Sequence, residues 1–498
     1  MRIALINPPY LIIYQKLNIQ QSASIPLGLL YIGAALERAG HEVKVFDPNL
    51  HNTPLPELVS QIGSFAPQLI GLTSVTPTFN AAKQISAELK KVWPAVPIVM
   101  GGPHVSVLPE PSLRISPSID FIVVGEGEET VVELAQILEQ PQQDFSTVRG
   151  LCYRRDGSVV LNAARPLIQD LDSVPYPAYH MLPVKEYAPS VVYRVREKSI
   201  FIMSSRGCPA SCTFCANQVT GRRWRVHSID YFMGLIHDTV RKYDIRHFHF
   251  VDDNFMADQK RVEKICRRIL DGGLSITWFI FARTDHCQDV ELLRLMKRAG
   301  CVFIQFGIES GNEQILRQLG KKVSKETMCQ ACLNCKKVGI DYFNSFMIGG
   351  PGETSESVRE SVDYAIQLDS IMAGFNILIP YPGTAIFKKY YQKDFVENAD
   401  WERWNHITHD VPIDYRHTEL SKAELDQLRK MAIRRYYLRP RQIFRILTFF
   451  RSFSLFATFL KSSWEHLFFL FSGNTGKPAP LHPGAPGGSE AFRPTSLP

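Results

Sequence analysis

Along the first 145 residues, short apolar runs alternate with longer segments whose apolar positions recur every three or four residues. The runs at 3–7, 42–47, 69–75, 98–102 and 121–125 have strand length and are rich in β-forming residues. Between them, 27–39, 81–92 and 129–138 carry helical periodicity. Strands apolar on both faces, separated by amphipathic helices, predict a doubly wound, Rossmann-like parallel sheet. A second series follows from about Lys198, with strands at 200–204, 247–252, 277–282, 302–308, 342–348 and 375–379. Helical patterns at 231–243, 260–270, 291–299 and 325–338 separate most of them. Six β/α units are two short of a closed eight-stranded barrel, so a partial (β/α)6 barrel is expected.

The domain reading is therefore 1–145, a linker at 146–195, and a barrel at 196–400. Within the linker, Arg155-Asp156-Gly157 suggests a hairpin, and the stretch from Asp172 to Pro177 an extended connector. Past Trp401 the repeat stops. Ser421-Lys422-Ala423-Glu424 is a capping box opening a helix to about Tyr437, which makes 401–472 a helical C-terminal region. Its segment 443–471 is rich in Phe and Leu but interrupted by Arg445, Arg451, Lys461 and Glu465. Packing over the barrel mouth is the preferred reading of that segment, and peripheral contact with a membrane is the other. The Pro-, Gly- and Ser-rich stretch 473–498 is predicted to be a disordered tail.

Composition narrows the setting. No run of 18 apolar residues occurs, and the start, MRIALINPPY, has none of the parts of a signal peptide. A cytoplasmic location is expected, where thiols stay reduced, so the ten cysteines are read as ligands or core residues. The net charge of +7 is modest for 498 residues, and its local excess sits in Arg434, Arg435, Arg439, Arg441, Arg445 and Arg451. A nucleic-acid partner is not expected.

Parallel sheets and barrels bind ligands beyond the carboxyl ends of their strands. In the first series those exits carry Asn7-Pro8-Pro9, Ser74, Gly101-Gly102-Pro103-His104 and Gly125-Glu126-Gly127. In the second, the first exit carries Ser205-Arg206-Gly207-Cys208-Pro209-Ala210-Ser211-Cys212-Thr213-Phe214-Cys215. Three thiolates on one loop can hold three irons of a cubane cluster and leave the fourth iron for a small molecule. A structural zinc site wants four closed ligands, and no second cysteine pair lies nearby. Cys329, Cys332 and Cys335 fall in a helical pattern and read as core, as do the isolated Cys152, Cys266, Cys287 and Cys301. Asp252-Asp253-Asn254 and Arg283-Thr284-Asp285 end the second and third strands, where they either face the mouth or cap the next helix.

The CxxxCxxC spacing, with Phe214 before the last cysteine, resembles the signature of the radical S-adenosylmethionine superfamily. Gly307-Ile308-Glu309-Ser310-Gly311, Gly349-Gly350-Pro351-Gly352-Glu353-Thr354 and 379–384 resemble that family's fourth-, fifth- and sixth-strand elements. The resemblance implies a [4Fe–4S] cluster on Cys208, Cys212 and Cys215, with S-adenosylmethionine contacted by Phe214, Glu309, Ser310, Gly349, Gly350 and Pro351. It also implies cleavage of the cosubstrate to a 5′-deoxyadenosyl radical. The first domain resembles the cobalamin-binding domain of one subgroup, the methyltransferase-like class B proteins. Ser74, Gly101, Gly102, His104 and Glu126 are the residues so implied to meet cobalamin. The Asp-x-His-x-x-Gly motif that supplies a lower histidine to cobalt is absent, as it is in that subgroup.

Together these resemblances imply a methyltransferase acting on an unactivated carbon of a small-molecule or lipid-like metabolite, supplied with electrons by a flavodoxin or ferredoxin. An anaerobic oxidative cyclase or ring-rearranging enzyme on a tetrapyrrole-like substrate is the alternative. A non-catalytic cobalamin- or redox-responsive binding protein is the alternative of another class. No residue is singled out as an acid, base or nucleophile, and the substrate is not legible. The tRNA methylthiotransferases, which carry three N-terminal cysteines, are set aside, because only Cys152 precedes Cys208.

Overall fold

A computed structural model describes residues 1–10, 24–187, 198–217, 219–394, 399–405 and 413–449. The segment 450–498, including most of 443–471 and the expected tail, lies outside the described residues.

The first sheet is built from β1 (Arg2–Ile6), β2 (Glu42–Phe46), β3 (Leu69–Thr73), β4 (Ile98–Gly101) and β5 (Phe121–Val123), all parallel. Helices Leu27–Arg38, Leu55–Phe65, Phe79–Val92 and Glu128–Leu138 cover its faces. Residues such as Ile3, Ala4, Leu69 and Ile70 are wholly buried, because each strand is sandwiched between helices. The order β2-β1-β3-β4-β5 reverses direction between β1 and β3, which opens a crevice at the strand exits. The hairpin expected in the linker is present as β6 (Leu151–Arg155) and β7 (Ser158–Leu161). It does not float between domains. It adds two antiparallel strands to the β5 edge, making a seven-stranded sheet.

The second sheet contains β8 (Ile200–Ile202), β11 (His247–Phe250), β12 (Thr277–Ala282), β13 (Cys301–Glu309), β14 (Asp341–Ile348) and β15 (Met372–Ile377). All five pairings are parallel, in the order β15-β14-β13-β12-β11-β8. No pairing joins β8 to β15 among the described residues, so the barrel stays open along one side. A two-residue ribbon, β9 (Ser205–Arg206) against β10 (Arg225–Val226), brackets the cysteine loop.

Side chains alternate between two faces along most of these strands, with irregular register at Trp278/Phe279 and Gly307/Glu309. Trp278, Ile280, Ile304, Phe306, Phe346 and Phe375 point outward into the helical layer, where they meet Phe232, Ile265, Leu293 and Val358. The opposite face turns into the lumen and is only half-buried at Phe281, Gln305, Phe343, Ser345, Met347 and Asn376. At the amino end of the strands Phe279, Phe303, Ile371 and Met372 close the floor, with Tyr437 packed against them. Among the described residues the lumen is thus closed at the amino end of the strands and lies toward the strand exits.

The capping box at Ser421 forms as read, and its helix is Lys422–Tyr437. This helix lies along β15, where the Tyr437 hydroxyl donates to the Ala373 carbonyl at 2.7 Å and accepts from its amide at 3.1 Å. A last described helix, Pro440–Phe449, follows. Among the described residues no helix is long and apolar enough to cross a membrane.

Candidate functional site

The cysteine loop leaves β8 and is fastened at both flanks. Gly207 has φ 87°, and a Cβ there would overlap the Arg223 carbonyl, so only glycine lets the two arms of the loop pass. Its amide donates to Asp253 Oδ2 at 2.9 Å, and the Thr220 hydroxyl donates to the same oxygen. Thr213 donates its amide to Leu319 and accepts from the amide of Ile386. Phe214 packs beside Ile315, Leu319, Leu378 and Ile386. Asp253 is thus an anchor of the loop and not a helix cap; Asp258 caps the helix Gln259–Asp271.

Cys208 is half-buried, Cys212 buried and Cys215 exposed, and none is in a disulfide. Burial pushes the Cys212 thiol up, with Lys321 and Arg283 acting in the opposite direction. Although Cys215 is exposed as a residue, desolvation of its sulfur and the neighbouring Cys212, Asp253 and Cys208 push its thiol up to about 11. Cys212 feels the neighbouring Cys208, and Cys215 feels both of the other thiols. Metal binding would displace their protons. Among the described residues no three metal-ligating side chains converge as they would on a single ion. Three thiols carried on one short loop suit three irons of a cubane, whereas structural zinc wants a closed set of four ligands.

Beside this loop, β13 ends at Glu309, which adopts φ 71°. Its Oε1 lies 3.3 Å from Lys321 Nζ, and both side chains are buried. A Cβ on Gly307 would collide with that carboxylate, which explains the glycine two residues upstream. Ser310 turns away, its hydroxyl 3.0 Å from that of Ser361. The amides of Gly349 and Gly350 both donate to Glu353 Oε2, while Pro351 is buried. Glu353 Oε1 is buried with no partner among the described residues. Burial lifts its acid to about 7. Asn254 is 1% exposed, and neither its Oδ1 nor its Nδ2 has a partner among the described residues. Unmet polar capacity of that kind beside a mouth suits a polar ligand.

In the first domain, Ser74 and Gly102 lock the exits of β3 and β4 together. Ser74 donates its amide to the Gly101 carbonyl at 2.9 Å and accepts from the His104 amide at 3.2 Å. Gly102, at φ 101°, passes so close to Ser74 that a Cβ would lie 2.6 Å from its carbonyl oxygen. Toward the crevice the surface is open: a Cβ at Gly125 would meet nothing within 4 Å, and Val75 is 45% exposed. Open space at these strand exits leaves room for a ligand beyond the sheet, as a bound corrin would need. His104 is 2% exposed, with its ring packed on Phe79 at 4.2 Å and Trp401 at 5.0 Å and its Nδ1 on Thr76. Burial drops its pKa to about 3, so it stays neutral as a packing residue.

Glu126 points at the second domain. Its oxygens accept from Arg206, from Arg225 and from the amide of Ile168, all at 2.8–3.0 Å. Arg206 also pairs with Glu128 at 2.7 Å. The exit of β5 and the ribbon leading to Cys208 are therefore in direct contact. Reading the sequence alone leaves out Arg225 and Lys321, which no motif marks; Arg206 stands inside the quoted cysteine-loop motif but without an assigned role.

The B12 binding domain family matches residues 21–135, and the radical SAM superfamily matches residues 202–365. Over 422 residues the chain is 33% identical to an uncharacterized methyltransferase of Pyrococcus horikoshii, covering 84% of this chain and 89% of that one. It is 28% identical to the anaerobic magnesium-protoporphyrin IX monomethyl ester cyclase of Rubrivivax gelatinosus, covering 77% of this chain and 69% of that one. Among solved structures, the radical S-adenosylmethionine methyltransferase TsrM of Kitasatospora setae, with cobalamin and a [4Fe–4S] cluster bound, superposes with a TM-score of 0.65. At 20% identity over 79% of this chain and 78% of that one, this last likeness concerns the fold. The paired domains, the three-cysteine loop and the full-length relative agree: the chain belongs to the cobalamin-dependent radical S-adenosylmethionine enzymes of the methyltransferase-like group.

Proposed function

We propose that the protein methylates an unactivated carbon of a small-molecule or lipid-like metabolite. The observation that carries this is the contact of Arg206 with Glu126, which brings the cysteine loop to the cobalamin crevice. When bound, the cluster with S-adenosylmethionine supplies hydrogen-atom abstraction, and cobalamin supplies a methyl group. The chain's own share is binding and orientation. Cys208, Cys212 and Cys215 would hold the cluster. Glu309, in reach of Lys321, offers a carboxylate to a ribose hydroxyl or an ammonium group, and the amide of Asn254 adds a donor and an acceptor. Ser74, Gly101, Gly102 and Gly125 floor the cobalamin side, while Phe281, Phe343 and Met347 exclude water from the lumen.

The test is anaerobic reconstitution, chemical reduction and incubation with methyl-labelled S-adenosylmethionine and a panel of candidate metabolites. Label in a recovered product, accompanied by 5′-deoxyadenosine, supports the reading. A dehydrogenated or ring-closed product without label replaces it with the oxidative cyclase reading, which the Rubrivivax gelatinosus relative favours. A low-potential flavodoxin or ferredoxin is the proposed electron source. The exposed Ile443 and Leu447 on helix Pro440–Phe449 support peripheral contact with a membrane as a way to meet a lipid-like substrate.

A further inference from the structure

Four buried charged side chains join the two domains. Arg206, two residues before Cys208, faces Arg225 directly across the β9–β10 ribbon. Like charges opposite one another on an antiparallel pair repel. Glu126 removes the conflict by accepting from both guanidinium groups, at 3.0 Å from Arg206 and 2.8 Å from Arg225. The second prong of Arg206 goes to Glu128 at 2.7 Å, and its guanidinium lies over the Tyr31 ring at 5.2 Å. All four residues' side chains are at most 9% exposed. A buried ion cluster adds little stability over apolar packing of the same volume; what it adds is registry, because guanidinium forks are directional.

We propose that Arg206 and Glu126 are positioning residues that fix the cysteine loop against the cobalamin crevice and so set the separation of the two metal centres. Glu126 is thereby committed to the domain contact and not to cobalamin. The proposal rests on the reading above only in taking both metal centres to be loaded, and it requires no methyl transfer. Lysine at 206 keeps the charge but has one nitrogen where the fork has two, so it cannot hold Glu126 and Glu128 in their present geometry.

The test uses the full chain carrying Arg206→Lys or Glu128→Gln, reconstituted with iron and sulfide and loaded with cobalamin. Reduction to the state with a paramagnetic cluster and cobalt(II) lets pulsed EPR read their dipolar coupling, and hence their distance distribution. The unchanged protein should give one narrow distribution. Arg206→Lys should broaden or displace it, and Glu128→Gln should do so to a smaller extent, at unchanged iron and cobalamin content. The same narrow distribution in Arg206→Lys overturns the proposal, as does a lowered melting temperature with coupling unchanged. Should Arg206→Lys not fold, Glu126→Gln, which keeps the side-chain volume but removes the charge that both guanidinium groups share, decides by the same criterion. Failure here leaves the methylation reading standing, and absence of labelled product leaves this one standing.

Discussion

The carboxylate of Glu309 rests 3.3 Å from the Lys321 ammonium while its own backbone is held in the left-handed region at φ 71°. A residue with a side chain costs about 1–3 kcal/mol in such a conformation, and this one persists at a strand exit beside the cysteine loop. That backbone geometry places the carboxylate against Lys321, beside the cysteine loop. Glu309→Gln should weaken S-adenosylmethionine binding on the order of 10- to 100-fold, the value of one charge-assisted hydrogen bond of about 1.5–3 kcal/mol. Equilibrium binding to cluster-loaded protein measures it, and unchanged affinity would remove Glu309 from the binding role.

Replacing any one of Cys208, Cys212 or Cys215 with alanine should strip the four-iron cluster, leaving iron content near zero after reconstitution. Cobalamin binding should survive in each variant, because the residues proposed for its cradle, Ser74, Gly101, Gly102 and Gly125, belong to the first domain. Loss of both cofactors together would mean that the domains fold as one unit around the cluster.

Gly207→Ala should be more damaging than any single cysteine change. The added methyl group meets the Arg223 carbonyl at a backbone angle that side chains avoid. A decline in folded yield, with a melting temperature lower than that of Cys208→Ala, is the expected result.

Glu353 gives the fold a pH dependence with a defined sign. Its pKa rises from 4.5 to about 7 because burial disfavours the charged form. The folded state therefore holds this proton more tightly than the unfolded one. The resulting stabilisation is complete below the unfolded value of 4.5 and is lost as pH climbs through about 7. At 1.36 kcal/mol per unit it is worth roughly 3 kcal/mol. Glu353→Gln lacks the titration, so its unfolding free energy relative to the unchanged protein should improve by about that amount between pH 5 and pH 8. Denaturant titrations at the two pH values measure the difference.

Because His104 is buried on Phe79 and Trp401, it is not available to cobalt. The cobalt(II) EPR spectrum of loaded protein should show no splitting from a histidine nitrogen, and His104→Leu should leave that spectrum unchanged. A histidine splitting lost in the variant would contradict the packing described.

The architecture was legible because each strand is a short apolar run framed by helical periodicity, and these signals are local. Where the reading and the structure part, longer-range forces are responsible. The sixth barrel strand starts at Met372, ahead of the apolar run, because pairing with Phe343 and Asn344 extends it backward. The 155–157 hairpin was legible as a hairpin but not as part of the first sheet, since only the free edge of β5 recruits it. Sites behaved likewise. The cysteine triplet is written within eight residues, whereas Arg225 and Glu126 meet across 99 positions of chain and leave no local trace. The same holds for Ser310, whose hydroxyl meets that of Ser361 on the helix Ser355–Leu368, beyond the next strand.

Trp401, Trp404, Phe387 and Tyr391, which follow the last barrel strand, share one apolar cluster with Phe79, Ile85, Met100 and Val105 of the first domain. Burying each large aromatic ring there is worth on the order of 2–3 kcal/mol. The chain thus returns to its beginning before it ends, like a belt drawn through its own buckle. A shortened gene product ending at the sixth strand would bare this greasy wall and precipitate, so any soluble miniature of the protein must keep the return stretch through residue 405.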